Sequence, residues 1–183
     1  MHSLGRIIGI GLVAAAAVTS AACGSDSEST GSATTSVTAG GSTESKGREC
    51  TAEDVQVEGG YGDAPQITIP DDCDPPTTLI VKDLVPGNGA GAAAGQPLTM
   101  NYALVTWSDK QTLDSSFQRG KPFQLTLGAG QVIEGWDQGL LGVQQGARRL
   151  LIVPPDLGYG AGGNGVPPNE TLVFVTDAVQ VGR

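Results

Sequence analysis

Apolar residues along this chain alternate with polar ones in several short runs and recur with a helical period in only one. Leu98, Met100, Tyr102 and Leu104 are separated by smaller or polar neighbours, and Phe123, Leu125 and Leu127 alternate with Gln124 and Thr126. Such period-two runs predict strands. Residues 79–81, 148–153 and 172–181 are further strand segments rich in aliphatic residues. The helical pattern falls at 133–141, where Ile133, Trp136, Leu140 and Leu141 are spaced i, i+3, i+7 and i+8 and Gly142 can end the helix. Several strands folded over one or two turns of amphipathic helix define an α+β domain of about 105 residues.

The first 75 residues have a different texture. Arg6, an apolar stretch over 7–18 and the small residues Thr19 to Ala22 read as an export signal over 1–22. Its twelve apolar residues fall short of the about 20 that a membrane-spanning helix needs. The small residues ending at Cys23 resemble the lipobox of bacterial lipoproteins, which implies a lipid-modified Cys23 and a protein anchored on the outer face of the cytoplasmic membrane. Ser20 stands where such sites usually carry Leu, so plain cleavage to a secreted product is the alternative. Between Gly24 and Lys46, 18 of 23 residues are Gly, Ser, Thr or Ala. Such a segment lacks the apolar surface to fold, so residues 23–46 are expected to be an anchor and flexible tether. Residues 47–75 follow as an acidic extension whose alternating run at 66–70 could add a strand to the domain behind it.

Gly 28 and Pro 11 agree with a turn-rich, strand-rich protein and argue against a helical bundle. The formal net charge of −9 is unevenly spread: residues 24–75 carry −9, and residues 76–183 only −1. No basic stripe is present to follow a phosphate backbone, so nucleic acid is not an expected partner. The one histidine, His2, lies in the leader, which removes imidazole acid–base chemistry and His-ligated zinc from the mature chain. With Cys23 set aside, Cys50 and Cys73 remain in a chain bound for an oxidising compartment and are expected to form a structural disulfide. The Asp71, Asp72, Asp74 cluster lacks the spacing of a calcium loop and reads as a solvated acidic turn. The Gly-rich segments at 87–95 and 128–130 complete no phosphate-binding motif, so no cofactor is expected.

Five strings stand in order through the last 105 residues: Leu113-Asp-Ser-Ser116, Gly120-Lys-Pro-Phe-Gln-Leu125, Val132-Ile-Glu-Gly-Trp-Asp137, Tyr159-Gly-Ala161 and Val166-Pro-Pro-Asn-Glu-Thr-Leu-Val-Phe174. Together they resemble the FKBP-type peptidyl-prolyl cis–trans isomerases, over residues 76–183. The resemblance implies an antiparallel sheet wrapped around one short helix. It also implies a proline pocket lined by Tyr102, Leu113, Asp114, Phe123, Val132, Ile133, Tyr159, Val166 and Phe174, with the Trp136 indole as its floor. Trp136, Tyr159 and Asp114 are the expected catalytic residues, Asp114 either acting on the rotating amide or ordering the wall through Arg119. Five of the eight aromatic residues of the chain fall on these positions. Leu113 replaces the family's usual Phe, which implies a wider pocket. The expected partners are proline-containing unfolded polypeptides and macrolide ligands, with neither ATP nor metal required. A binding module with little turnover is the alternative reading of the same pocket.

Overall fold

The computed structural model describes residues 45–183. The export leader, Cys23 and nearly all of the tether lie outside these residues. Eight strands are present in the described part: β1 (Gln56–Glu58), β2 (Gln66–Thr68), β3 (Ile80–Val85), β4 (Pro97–Thr106), β5 (Thr112–Ser115), β6 (Phe123–Thr126), β7 (Arg148–Val153) and β8 (Leu172–Val181). Two short helices, α1 (Ser116–Arg119) and α2 (Glu134–Gly139), and a 3-10 turn at Pro155–Leu157 complete the set. The main sheet runs β3-β7-β8-β4-β5, with β6 also paired to β4, and every pairing is antiparallel. This is the FKBP-like architecture that the sequence implied, an antiparallel sheet with few short helices.

Strands β7 and β8 are apolar at consecutive positions because both faces of the sheet are covered. Leu151, Val153, Leu172 and Phe174 point to the inner face and pack with Leu98, Met100, Leu104 and Trp136. Their neighbours Leu150, Ile152, Val173 and Val175 point outward and pack with Val55, Ile69 and the Cys50–Cys73 disulfide of the extension. The run at 66–70 therefore does not extend the main sheet. Gln66–Thr68 pairs with Gln56–Glu58 as a separate two-stranded ribbon. The alternating Ile67 and Ile69 bury against the outer face of the large sheet, where their apolar surface is covered better than at a strand edge.

A buried ion pair joins the two parts. Arg148, 1% exposed, donates from Nε (2.6 Å) and Nη2 (2.8 Å) to the two carboxylate oxygens of Asp177. Its remaining donors reach the carbonyls of Gly59 and Asp63 in the extension, each at 2.6 Å, and the Gly62 N–H returns a 2.8 Å bond to Asp177. Desolvating two charges is costly unless their lone pairs and protons find partners, and the extension supplies two acceptors to Arg148 and one donor to Asp177.

The acidic turn is tied down by cations. Asp71 pairs with Lys110, Asp72 with Arg48, and Asp74 accepts from Ser45 and from the backbone of Lys46. Asp54 pairs with Arg48, whose guanidinium, with the backbone N–H of Thr51, holds the Asp54 carboxyl well below the usual carboxylate range. Cys50, Asp54 and Cys73 bring three ligand-type atoms within 4.8 Å, but both sulfurs are consumed by the disulfide.

Candidate functional site

Helix α2 is only six residues long and has no side-chain N-cap, so its position must come from packing. Its two glycines explain how closely it lies on the sheet. A Cβ at Gly135 would stand 2.4 Å from a methyl of Val153, and one at Gly139 would stand 2.8 Å from a methyl of Leu151. Arg149 fixes the other end, donating to the carbonyls of Gly139 (2.9 Å) and Leu141 (3.0 Å) while paired with Asp83. A cation at these carbonyls also complements the helix dipole. Asp137 accepts from the Gly128 and Gly130 amides at 2.8 and 3.1 Å, tying the loop ahead of α2 to the helix.

This arrangement places Trp136 at the bottom of a cavity of about 200 Å³. The indole is 4% exposed and is met edge to face by Tyr102 from β4 (5.3 Å between centroids), Phe174 from β8 (5.5 Å) and Phe123 from β6 (6.0 Å). Edge-to-face packing sets the positive ring edge against the negative ring face. The Trp136 N–H is buried without a hydrogen-bond partner among the described residues, so the indole carries one unsatisfied donor in an otherwise aromatic floor. Val132, Ile133 and Tyr159 complete the wall with Asp114, Leu104 and Gln131. No hydrogen bond joins the Tyr159 hydroxyl to another described residue.

The Leu-Asp-Ser-Ser string builds a charged side of the cavity through Asp114. Asp114 accepts from the Tyr102 hydroxyl and pairs with Arg119, whose Nη2 donates to the same hydroxyl at 3.0 Å. The Arg119 guanidinium also lies 5.3 Å from the Tyr102 ring centroid. Ser115 caps α1 by accepting from the Gln118 N–H, and Ser116 accepts from the Tyr102 backbone N–H at 2.8 Å. Burial, and then the bond to Asp114, push the Tyr102 hydroxyl above its ordinary pKa, so it stays a neutral donor.

Eight of the ten residues expected around the pocket, Tyr102, Asp114, Phe123, Val132, Ile133, Trp136, Tyr159 and Phe174, line this one cavity. Leu113 and Val166 stand apart. Leu113 is 38% exposed on β5, and a side chain at Gly165 would approach its Cδ1 to 3.8 Å, which puts it outside the lining at the 160–165 loop. Val166 is buried in the core cluster beneath. Leu104 and Gln131 also line the cavity and were not among the residues expected there. Leu104 shares the alternation of Tyr102 and could have been found that way, whereas nothing in its residue type marks Gln131.

Residues 89–178 match the model of a family described as FKBP-type peptidyl-prolyl cis-trans isomerase. The chain is 49% identical over 111 residues to an FK506-binding protein of Streptomyces anulatus, covering 59% of this chain and 90% of that protein. It is 42% identical over 107 residues to an FK506-binding protein of Neisseria meningitidis serogroup A, covering 57% and 96%. Among solved structures, AtFKBP13 superposes with a TM-score of 0.51 at 33% identity over 57% of this chain and 94% of that one. FkpA from Escherichia coli does so with a TM-score of 0.54 at 34% identity over 58% and 49%. The chain belongs to the FKBP-type peptidyl-prolyl cis–trans isomerases. Residues 45–75, with their ribbon and disulfide, lie ahead of the segment that the family model matches.

Proposed function

We propose that the aromatic cavity receives the proline of an X–Pro segment and speeds rotation about the imide bond, in polypeptides folding outside the cytoplasm. Resonance gives the peptide C–N bond partial double-bond character and a barrier of about 18–20 kcal/mol, so uncatalysed X–Pro exchange takes about 10–100 s. Resonance also separates charge, and water stabilises the planar, charge-separated form. An apolar enclosure removes that stabilisation, and a wall shaped for the half-rotated imide favours it over both planar isomers. Each ~1.4 kcal/mol of such preference is a tenfold gain in rate.

Within this reading Trp136 is the floor on which the pyrrolidine ring rests and Val132 and Ile133 border the bound chain. The Tyr159 hydroxyl donates to a substrate carbonyl. Asp114 sits where it can act on the twisting amide's carbonyl environment, and Arg119 with Tyr102 holds it there. The observation that carries the reading is the convergence of five of the chain's eight aromatic residues on a cavity of about 200 Å³. That volume is below the roughly 300–1,000 Å³ of drug-sized sites, and suits a single ring plus its amide. A macrolide of the kind named for the relatives would place only part of its body there.

Export and lipid attachment at Cys23 belong to the same proposal and rest on the leader sequence. Mass spectrometry of the mature protein tests them: a diacylglyceryl-modified Cys23 is the expected N-terminus, and an unmodified one leaves a secreted protein. For the site, protease-free NMR exchange of a blocked X–Pro peptide with the full chain is expected to show acceleration that Trp136→Ala abolishes. Exchange at the background rate with the unaltered chain would overturn the reading, and undiminished acceleration by Trp136→Ala would remove the pocket from the mechanism.

A further inference from the structure

The outer edge of β6 lies beside the proline cavity and is open. Leu127 donates its N–H to the Gln96 carbonyl and accepts from the Gly95 N–H on the β4 side, so by strand alternation Phe123 and Leu125 also turn their backbone groups to β4. Gln124 and Thr126 therefore turn theirs away from it. The two outward stations differ. The Thr126 N–H is taken by the side-chain carbonyl of Gln131 at 2.7 Å, and its C=O by Ala129 at 3.3 Å. The Gln124 N–H and C=O have no partner among the described residues, and Gln124 is exposed. An open donor and acceptor on a strand edge are what an extended peptide pairs with.

The ground around Gln124 is concave and cationic. A second hollow, of about 490 Å³, adjoins the proline cavity through their shared wall, Phe123, and is bounded by Arg119, Lys121, Pro122 and Gln124. Arg119 is partly neutralised by Asp114, whereas Lys121 is exposed and forms no ion pair with any described residue. We infer that this hollow and the Gln124 edge form a flanking subsite for the same polypeptide whose proline enters the aromatic cavity, and that it selects segments carrying acidic side chains near the proline. The inference rests on the proline-binding reading of the cavity. The chain lies extended along β6, its backbone pairs with Gln124, and an Asp or Glu side chain reaches Lys121 across Phe123.

Full-length protein and protease-free NMR exchange provide the test. The probes are a short blocked X–Pro peptide and versions of it lengthened on either side of the proline with residues that include Glu or, in a matched set, Lys. For one of the two directions of lengthening, kcat/KM of the Glu peptide is expected to exceed that of the Lys peptide by about two- to fivefold, the size of an exposed ion pair. Lys121→Glu is expected to reverse that ratio. The ratio is taken within one protein preparation, so it is insensitive to how much of the variant is folded. Methylating the backbone nitrogens of the lengthened side should lower kcat/KM toward that of the short peptide. Equal rates for Glu and Lys peptides in both directions, with the short peptide still accelerated, overturn the subsite and leave the cavity reading intact. No acceleration of any peptide overturns both.

Discussion

At the scale of single residues the cavity depends on Trp136. Truncating a buried aromatic typically costs about 3–5 kcal/mol, and Trp136→Ala should fall in that range in urea unfolding while abolishing exchange activity. Tyr159→Phe removes a hydroxyl that bonds to no described residue, so unfolding should be unchanged and activity lowered modestly. A rate equal to that of the wild type would take the hydroxyl out of the mechanism. Tyr102 makes a pH-dependent contribution. Its native pKa is raised, chiefly by burial, so its share of stability is fully present below the ordinary phenol value of about 10 and is lost as pH rises through the native value. Tyr61 is shifted in the same direction, also chiefly by burial. An absorbance titration of the native protein should therefore show two late tyrosines, one of which Tyr102→Phe removes. Much of this site was legible in the sequence because aromatic residues are so scarce that five of eight on matching positions are hard to explain as core alone. Gln131 was not, because an exposed glutamine carries no such signal until its carbonyl is seen to cap the edge of β6.

Among the elements, α2 matters most, and its glycines decide its height above the sheet. Replacing Gly135 by Ala would gain about 1 kcal/mol of helix propensity. The added methyl meets Val153 at 2.4 Å, and overpacking of that kind costs about 1–3 kcal/mol or more. The contact is severe enough to win, so Gly135→Ala should lower the urea midpoint and alter Trp136 fluorescence. An unchanged spectrum would show that α2 is not held as closely as the contacts indicate. The helix itself was readable from its i, i+3, i+7 spacing, and β7 and β8 from their aliphatic runs. Strand β5 and helix α1 were not, since residues 112–119 have neither period. What defines them is the Ser115 cap, the Ser116 bond to β4 and Gly120 at a φ of 64°, a conformation glycine adopts without strain.

For the molecule as a whole, the extension acts as a layer of the fold. Its apolar residues are too sparse within an acidic run to announce a packing face. The complementary signal lay in the main sheet, where consecutive apolar positions in β7 and β8 call for cover on both sides. Closing a 24-residue loop, the Cys50–Cys73 disulfide should contribute about 3 kcal/mol by chain entropy. Reductant is therefore expected to lower the unfolding midpoint, and identical midpoints with and without it would show that the extension is not coupled to the sheet. The clasp at Arg148 has a practical meaning for anyone trimming this protein. Sequence likeness invites a cut near Pro76, yet that cut would bare a greasy sheet and strand a guanidinium that has lost two of its acceptors. The scissors belong upstream of Ser45, so that the stapled ribbon travels with the enzyme.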